Sequence, residues 1–285
     1  NSGDVTYLTR TPSSSGNRRT MTYSFWLKKV KPATFTTIVS GATDSSNRNQ
    51  IDLLGTGGIR VWGNSSGSQN VYVAPSNLLR DTSAWYHIVV AIDTTQGTSS
   101  NRVKFYFNGV QATSYSNTTY PSQNAELNFN KNVAQSFGLS DSGPDVYFAE
   151  INFIDGQQLT PSSFGETDAI TGQWNPKKYV GSYGTNGFYL NFSDNSGTTA
   201  TTLGKDSSGN GNNFTPNNFS VSAGAGNDSV EDTPTNNFCT LNPLTSNLGG
   251  GSGTVSNGNL AYVGTGSYDN IVATFAVSTG KWYYE

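Results

Sequence analysis

The chain has 285 residues, with 16 basic and 19 acidic side chains and 34% hydrophobic residues. This composition excludes a helical bundle, which needs Ala, Leu, Glu and Lys in quantity. The net charge of -3 disfavours a general nucleic-acid binder. No apolar run reaches the ~18 residues of a membrane helix, so no membrane insertion is expected. The 15 Tyr, 15 Phe and 5 Trp suffice to build a core, and an all-β protein is favoured.

Alternating apolar residues predict strands through the first two thirds of the chain. In MTYSFWLKKV, for example, Tyr23, Phe25 and Leu27 fall on one side and Trp26 on the other. Turn residues recur about every ten positions, which is typical of a sandwich or barrel. The predicted strands cover residues 21–30, 35–41, 50–55, 58–63, 71–74, 85–93, 103–110, 125–130, 137–140, 146–155 and 187–192.

Composition divides the chain into three parts. Residues 1–194 form one predicted β domain, in which 159–166 is a single helical turn capped by Thr160. Residues 195–253, almost all small and polar, read as an extended linker anchored by a few aromatics such as Phe214 and Phe219. Strand signals return at 259–264, 271–277 and 281–285, so 254–285 is expected to start a second, incomplete β domain.

The single histidine and single cysteine leave little room for catalysis or metal clusters. His87 lies in the apolar strand WYHIVVAID and is expected to be structural. Cys239 excludes an internal disulfide and is expected to be a small residue near a core. No basic and apolar leader follows Asn1, so no signal peptide is expected.

Acidic residues cluster around one predicted strand, at Asp141, Asp145, Glu150 and Asp155. A glycosidase needs two carboxylates flanking one bond. On a regular strand Asp145 and Glu150, five positions apart, face opposite sides of the sheet. The spacing therefore disfavours a hydrolase.

Two loops carry the hard oxygen ligands that calcium prefers. One is SDSGPD, with Asp141 and Asp145 as candidate metal ligands. The other is KDSSGNGNN, with Asp206, Ser208 and Asn210 at alternating positions. Turn formation by Asx residues is the alternative in both cases, so calcium is a candidate cofactor only.

Aromatic side chains near predicted strand ends are the candidate ligand contacts, because sugars stack on rings. These are Trp62, Tyr72, Tyr115 and Tyr120, with core or strand-pairing roles as the alternative. We expect contacts from rim loops at 62–72, 113–122 and 140–146. Residues 1–130 hold 11 basic and 6 acidic side chains, which indicates either a basic face that steers an acidic partner or an ordinary solvated surface.

Three stretches resemble the laminin-G-like, concanavalin A-like lectin/glucanase superfamily. They are MTYSFWLKKV, AWYHIVVAIDTTQGTSSNRVKFYFNGVQ and FAEINFIDGQQLTPSSFGE, spanning about residues 5–193. The resemblance implies a jelly-roll sandwich of two antiparallel sheets that binds glycans or proteins, often with a calcium ion at the sheet rim. It would carry over only Asp145 as a metal ligand, and the acidic strand motif of the glucanase branch is not matched.

The remainder is similar to large structural proteins of tailed, especially marine, bacteriophages. LGKDSSGNGNNFTPNNF, DTPTNNFCTLNPL and FAVSTGKWYYE carry this resemblance, which implies that a SPRY-like domain starts at 254–285. The main hypothesis is a non-enzymatic virion protein, assembled in the host cytoplasm as a tail-fibre or capsid-surface component. Its partners would be other virion proteins and host-surface glycans, and homo-oligomerisation stays open. The alternatives are a polysaccharide depolymerase module and a secreted bacterial adhesin.

Overall fold

The computed structural model describes residues 5–32, 35–139, 146–246, 253–266 and 268–282. The expected all-β class is confirmed, and the helical content of these residues is limited to single 3-10 turns at Ser99–Asn101, Pro161–Ser163 and Pro243–Thr245. The candidate calcium ligands Asp141 and Asp145 lie outside the described residues. The strands are β1 Tyr7–Arg10, β2 Thr20–Lys29, β3 Thr36–Asp44, β4 Asn47–Leu53, β5 Ile59–Ser65, β6 Ser68–Pro75, β7 Trp85–Asp93, β8 Val103–Phe107, β9 Val110–Gln111, β10 Tyr115–Thr119, β11 Gln135–Leu139, β12 Val146–Asp155, β13 Gly165–Thr167, β14 Trp174–Pro176, β15 Phe188–Leu190, β16 Thr215–Asn217, β17 Thr254–Ser256 and β18 Ala261–Val263.

Two antiparallel sheets form the sandwich, as the sequence predicts. The larger sheet has eight strands in the order β10-β6-β5-β4-β3-β11-β1-β16. The smaller sheet has six strands in the order β15-β12-β2-β7-β8-β9. Small separate hairpins join β13 to β14 and β17 to β18. No helix in the described part of the chain is both long and apolar enough to cross a membrane.

The main core lies between the inner faces of the two sheets. Tyr23 is central to it, with ring centroids 4.6 Å from Phe153 and 5.5 Å from Phe129. Burying a large apolar side chain of this kind stabilises the fold by roughly 1.5–3 kcal/mol. The side chains expected to be buried are all buried: Phe25, Trp85, Val89, Phe105, Phe107 and Ile151.

A second apolar cluster covers part of the outer face of the smaller sheet. The segment that follows β12 folds back over this face and buries Phe164 and Tyr183 against Val89 and Tyr106. The predicted single turn is present at Pro161–Ser163, but Thr160 makes no side-chain cap bond. Its hydroxyl instead shares a hydrogen bond with the Ser162 hydroxyl, which competes with capping.

Residues 195–246, which we call the tail, lie against the sandwich. Phe214 is fully buried in the main core, 4.7 Å from the Phe188 ring, and β16 pairs with β1 at the sheet edge. At the other end, Asp232 forms a buried ion pair with Lys28 (2.7 Å) and accepts a hydrogen bond from Trp85 Nε1 (2.7 Å). The tail therefore takes its order from the sandwich surface.

Three local expectations are wrong. Residues 125–130 are not a strand, because Asn128 N–H bonds to the Asn49 side chain and the chain turns at Asn130 with φ 58°. Residues 271–277 contain only an isolated bridge between Leu241 and Ala273. Cys239 is exposed, since the tail around it has few apolar neighbours to pack against.

Candidate functional site

A row of outward-pointing side chains crosses the larger sheet. The strand register places Ser40, Gln50, Trp62, Tyr72 and Thr119 opposite one another on successive strands β3, β4, β5, β6 and β10. Their chain neighbours, such as Ile51, Val61 and Val73, are buried in the core. Because side chains alternate along a strand, the row lies on the outer face. We call the following set the polar face: Arg48, Gln50, Asp52, Arg60, Trp62 and Tyr72.

Two guanidinium groups flank the Trp62 ring. The Arg48 Cζ lies 4.9 Å from the ring centroid and the Arg60 Cζ lies 5.7 Å from it. Arg60 precedes Trp62 by two residues, whereas Arg48 pairs with Asn64, two residues beyond Trp62. The two cations therefore approach Trp62 from opposite directions along β5. Each such contact contributes about 0.5–1 kcal/mol at a partly exposed site.

Arg60 is held in place by its own strand partners. Its Nε donates to Asp52 Oδ2 at 2.9 Å, and Nη1 donates to the Tyr72 hydroxyl at 3.4 Å. Asp52 is fully buried, and its Oδ1 accepts from the Thr37 hydroxyl at 3.1 Å. Burial raises the pKa of the Asp52 carboxyl, while the hydrogen bonds from Arg60 and Thr37 oppose that rise.

Arg48 has no such partner. Its backbone N–H donates to Asn64 Oδ1, but in the described chain its guanidinium makes no hydrogen bond or ion pair. The Nε–H of Arg48 is buried without an acceptor. The polar face thus carries two cations and one carboxylate, and only Arg60 is directly paired with that carboxylate.

The structure brings two of the four candidate aromatics together. Trp62 and Tyr72 are opposite each other in mid-strand, on the sheet face rather than on rim loops. Tyr115 and Tyr120 are partly buried and pack against the main core. Sequence reasoning missed Arg48 and Arg60. The alternation in GIRVWG, which puts Arg60 and Trp62 on one face, is the signal that could have found the second of them.

His87 has a structural role, because hydrogen bonds engage both of its ring nitrogens. Trp174 Nε1 donates to His87 Nδ1 at 2.9 Å, so the proton of the neutral ring is on Nε2, 2.9 Å from Ser24 Oγ. The ring stacks on Trp26 at 5.0 Å, and burial lowers the pKa of His87 to about 3. Gly165 lets Trp174 approach, since a Cβ there would meet the indole at 2.5 Å. With both ring nitrogens engaged, His87 has no lone pair with which to activate Ser24.

The acidic strand is not regular, contrary to the expectation. Glu150 has φ 53°, and the pairing of β12 with β2 shifts register between Ala149 and Asn152. The bulge turns Glu150 toward the Tyr189 hydroxyl, which donates to its carboxylate. Burial raises the pKa of Glu150, and the Tyr189 hydrogen bond opposes the rise.

The second candidate calcium loop is a hydrogen-bonded turn. Asp206 Oδ1 accepts from the backbone N–H groups of Tyr189 (2.9 Å) and Ser208 (2.8 Å). Its Oδ2 accepts from Asn212 N–H and the Ser208 hydroxyl, while Asn210 donates to backbone carbonyls. These donors occupy the oxygens that a cation would need. The described residues contain no group of three or more His, Cys, Asp or Glu placed to hold a metal.

A cavity of about 200 Å³ lies between the sandwich and the tail. Its walls include Leu8, Phe137, Phe148 and Phe219, together with the carboxylate of Asp232. Asp232 is already bonded to Lys28 and Trp85. The other carboxylate in the cavity wall, Asp228, accepts from the Ser220 N–H. Both carboxylates among the described lining residues are therefore already hydrogen-bonded within the protein.

Comparison with known proteins identifies a family. Residues 2–156 match the family model described as the concanavalin A-like lectin/glucanases superfamily. No protein of curated function matched the chain.

Solved structures show similar folds at low identity. A heptameric SAP-like pentraxin from Limulus polyphemus is 14% identical with a TM-score of 0.41, covering 65% of this chain and 88% of the pentraxin. Domain 4 of a GH43 extracellular arabinanase from Geobacillus stearothermophilus, in complex with arabinotriose, is 23% identical with a TM-score of 0.36, covering 52% and 65%. A Bacteroides ovatus protein proposed to bind carbohydrate is 13% identical with a TM-score of 0.43, covering 76% of this chain and 57% of that protein.

Proposed function

We propose a function for this chain on the premise that it belongs to the concanavalin A-like lectin/glucanases superfamily, whose model matches more than half of it. In this proposal the chain is a non-enzymatic binding module of a bacteriophage virion, in a tail or capsid-surface fibre. The polar face of the larger sheet binds a glycan on the host surface.

The polar face is the observation that carries the proposal. It is a β-sheet surface on which the half-buried side chains of Trp62 and Tyr72 lie side by side, bordered by guanidinium, amide and hydroxyl groups. Binding sites for small molecules combine aromatic surface with a few fixed polar groups in this way. Arg60 is hydrogen-bonded to both Asp52 and Tyr72, so the position of its guanidinium is fixed before a ligand binds.

The hydrogen bonds of two titratable side chains support the non-enzymatic part of the proposal. His87 has both nitrogens engaged, and Glu150 is bonded to Tyr189 on a bulge. The virion setting is supported by the resemblance of residues 195–285 to phage structural proteins, including the proposed start of a SPRY-like domain. The tail packed along the sandwich is compatible with a module built into a longer assembly.

The test is glycan binding by the full chain and by Trp62→Ala. On an array of bacterial polysaccharides, we expect saturable binding that weakens about tenfold or more in Trp62→Ala, because this variant removes the aromatic surface against which the Arg48 and Arg60 guanidinium groups lie. Trp282→Ala, which removes an exposed indole outside the sandwich, is the matched control and should bind normally. Unchanged binding by Trp62→Ala would contradict the polar face as the site.

The same samples test turnover. Incubation with the bound polysaccharide should release no new reducing ends. Sustained release that Glu150→Gln abolishes would replace the proposal with a depolymerase. Immunogold labelling of purified particles of the encoding phage should decorate a fibre, and unlabelled particles would contradict the virion setting.

A further inference from the structure

We infer that the ligand of the polar face is an anionic saccharide, whose carboxylate or sulfate group pairs with Arg48. This inference rests on the proposed glycan-binding function and names the ligand class that the same surface selects.

The Trp62 ring is not free for ordinary sugar stacking. Guanidinium groups approach it from both directions along the strand, at 4.9 Å and 5.7 Å from the centroid. A neutral sugar that stacked on the indole would have to displace one of these cations. The ring therefore supports the guanidinium groups, and the groups themselves face the ligand.

The two guanidinium groups differ in whether a carboxylate of the protein already pairs with them. Arg60 is neutralised by Asp52 through a 2.9 Å bond. Asp52 interacts with Arg48 electrostatically, but no described residue forms an ion pair or hydrogen bond with the Arg48 guanidinium. The terminal N–H groups of Arg48 are not buried, and in the described chain they make no hydrogen bond. An oxyanion that bridges these terminal N–H groups would gain charge-assisted hydrogen bonds that the protein itself does not use.

The neighbours of Arg48 favour a saccharide over a simple anion. Gln50 and Tyr72 lie in the row that crosses the face, and the exposed Thr119 extends it on one side. These neutral amides and hydroxyls match sugar hydroxyl groups as donors and acceptors. The net charge of the whole chain is -3, so attraction of an anion has to arise locally.

The experiment pairs each acidic bacterial polysaccharide on the array with its carboxyl-reduced or desulfated derivative. We expect the full chain to bind the acidic member and to bind the neutralised derivative at least tenfold more weakly. Arg48→Gln should lose affinity by a similar factor. Arg80→Gln removes the same charge at an exposed loop position and should bind within twofold of the parent.

A further variant separates charge from geometry. Arg48→Lys keeps the positive charge but loses the planar fork, so its affinity should fall between those of the parent and Arg48→Gln. Thermal unfolding of every variant should stay close to that of the parent, because the only described interaction that the Arg48 guanidinium loses is its contact with the Trp62 ring.

The failures are distinguishable. Equal binding of acidic and neutralised polysaccharides, unaffected by Arg48→Gln, would overturn the anionic inference and leave glycan binding intact. Equal losses in Arg48→Gln and Arg80→Gln would indicate general electrostatic attraction and would also overturn it. Binding to no polysaccharide of either kind would overturn the proposed function together with this inference.

Discussion

The two sheets share one core, but their outer faces differ in how far other segments of the chain pack over them. On the smaller sheet, the segment after β12 buries Phe164 and Tyr183 against Val89 and Tyr106, and the tail covers Lys28 beside Trp85. On the larger sheet, the polar face keeps half-exposed aromatic and cationic side chains. The smaller sheet is therefore packed on both sides, whereas on the larger sheet Trp62 and Tyr72 remain partly exposed, although Ser40 and Asp52 on the same face are buried.

The difference follows from which residues point outward. Outward residues of the smaller sheet, such as Trp26, Val89 and Tyr106, are mainly apolar or aromatic and need cover. Outward residues of the larger sheet include Arg48 and Gln50, which tolerate water. The covered face contributes stability, whereas the polar face remains partly exposed and is the proposed ligand site, so substitutions on the two faces should have different consequences.

The largest effect on stability is expected from Phe164→Ala. Phe164 is 2% exposed and packs on Tyr179 with ring centroids 5.3 Å apart. Its truncation should lower the free energy of unfolding by about 3–5 kcal/mol, through lost burial and a residual cavity. Denaturant unfolding measures this. Ile170→Ala, on the same covering segment but 94% exposed, should stay within about 0.5 kcal/mol of the parent. Similar losses from both would show that the segment does not pack as a cover.

The tail should loosen in Asp232→Asn. The change leaves Lys28 buried without its counter-ion, and removing one partner of a buried pair reduces stability by about 3 kcal/mol. Limited proteolysis should then cut within 195–246 faster than in the parent. Glu231→Gln alters an exposed neighbour and should leave the cleavage rate unchanged. A cleavage pattern unaffected by Asp232→Asn would mean that the ion pair does not fasten the tail.

Sequence alone could predict most strands of the sandwich and the main core, because period-2 alternation with Gly and Asn turns is a local signal. It missed short strands such as β1 and β10, which lack that alternation of apolar residues. It could not predict the cover on the smaller sheet, since Phe164 and Trp174 come from irregular segments whose partners are distant in the chain. The bulge at Glu150 was missed for a similar reason: the register shift depends on the pairing of β12 with β2. Trp62 and Tyr72 were predicted as candidate ligand contacts, but Arg48 joins them only through strand pairing across the sheet.

The covered face should also give the protein a pH response. The pKa of His87 is about 3 in the folded chain, against 6.5 for an exposed histidine. The unfolded chain therefore takes up the proton first as pH falls, so this stabilisation is complete above about pH 6.5 and is lost progressively toward pH 3. Between pH 6.5 and 5.0 it should decrease by about 2 kcal/mol.

Comparison with His87→Gln isolates this contribution from those of the carboxylates, which titrate in both proteins. The difference in unfolding free energy between parent and variant should narrow as the pH is lowered across that window. A difference that stays constant would show that His87 is solvated, and that the cover over the smaller sheet is open.

The smallest effect is expected on the uncovered face, in the coupling between Arg48 and Trp62. Their contact at 4.9 Å predicts a coupling energy of about 0.5–1 kcal/mol in a double-mutant cycle of Arg48→Gln and Trp62→Ala, measured by denaturant unfolding. A parallel cycle of Arg80→Gln and Trp62→Ala should give none. A coupling of several kcal/mol would mean that the polar face is a structural element like the cover over the smaller sheet. A small coupling energy, together with a tenfold or greater loss of ligand affinity in either single variant, would mean that the contact matters mainly in the complex. In that case the indole positions a guanidinium whose hydrogen-bonding capacity the fold itself leaves unused.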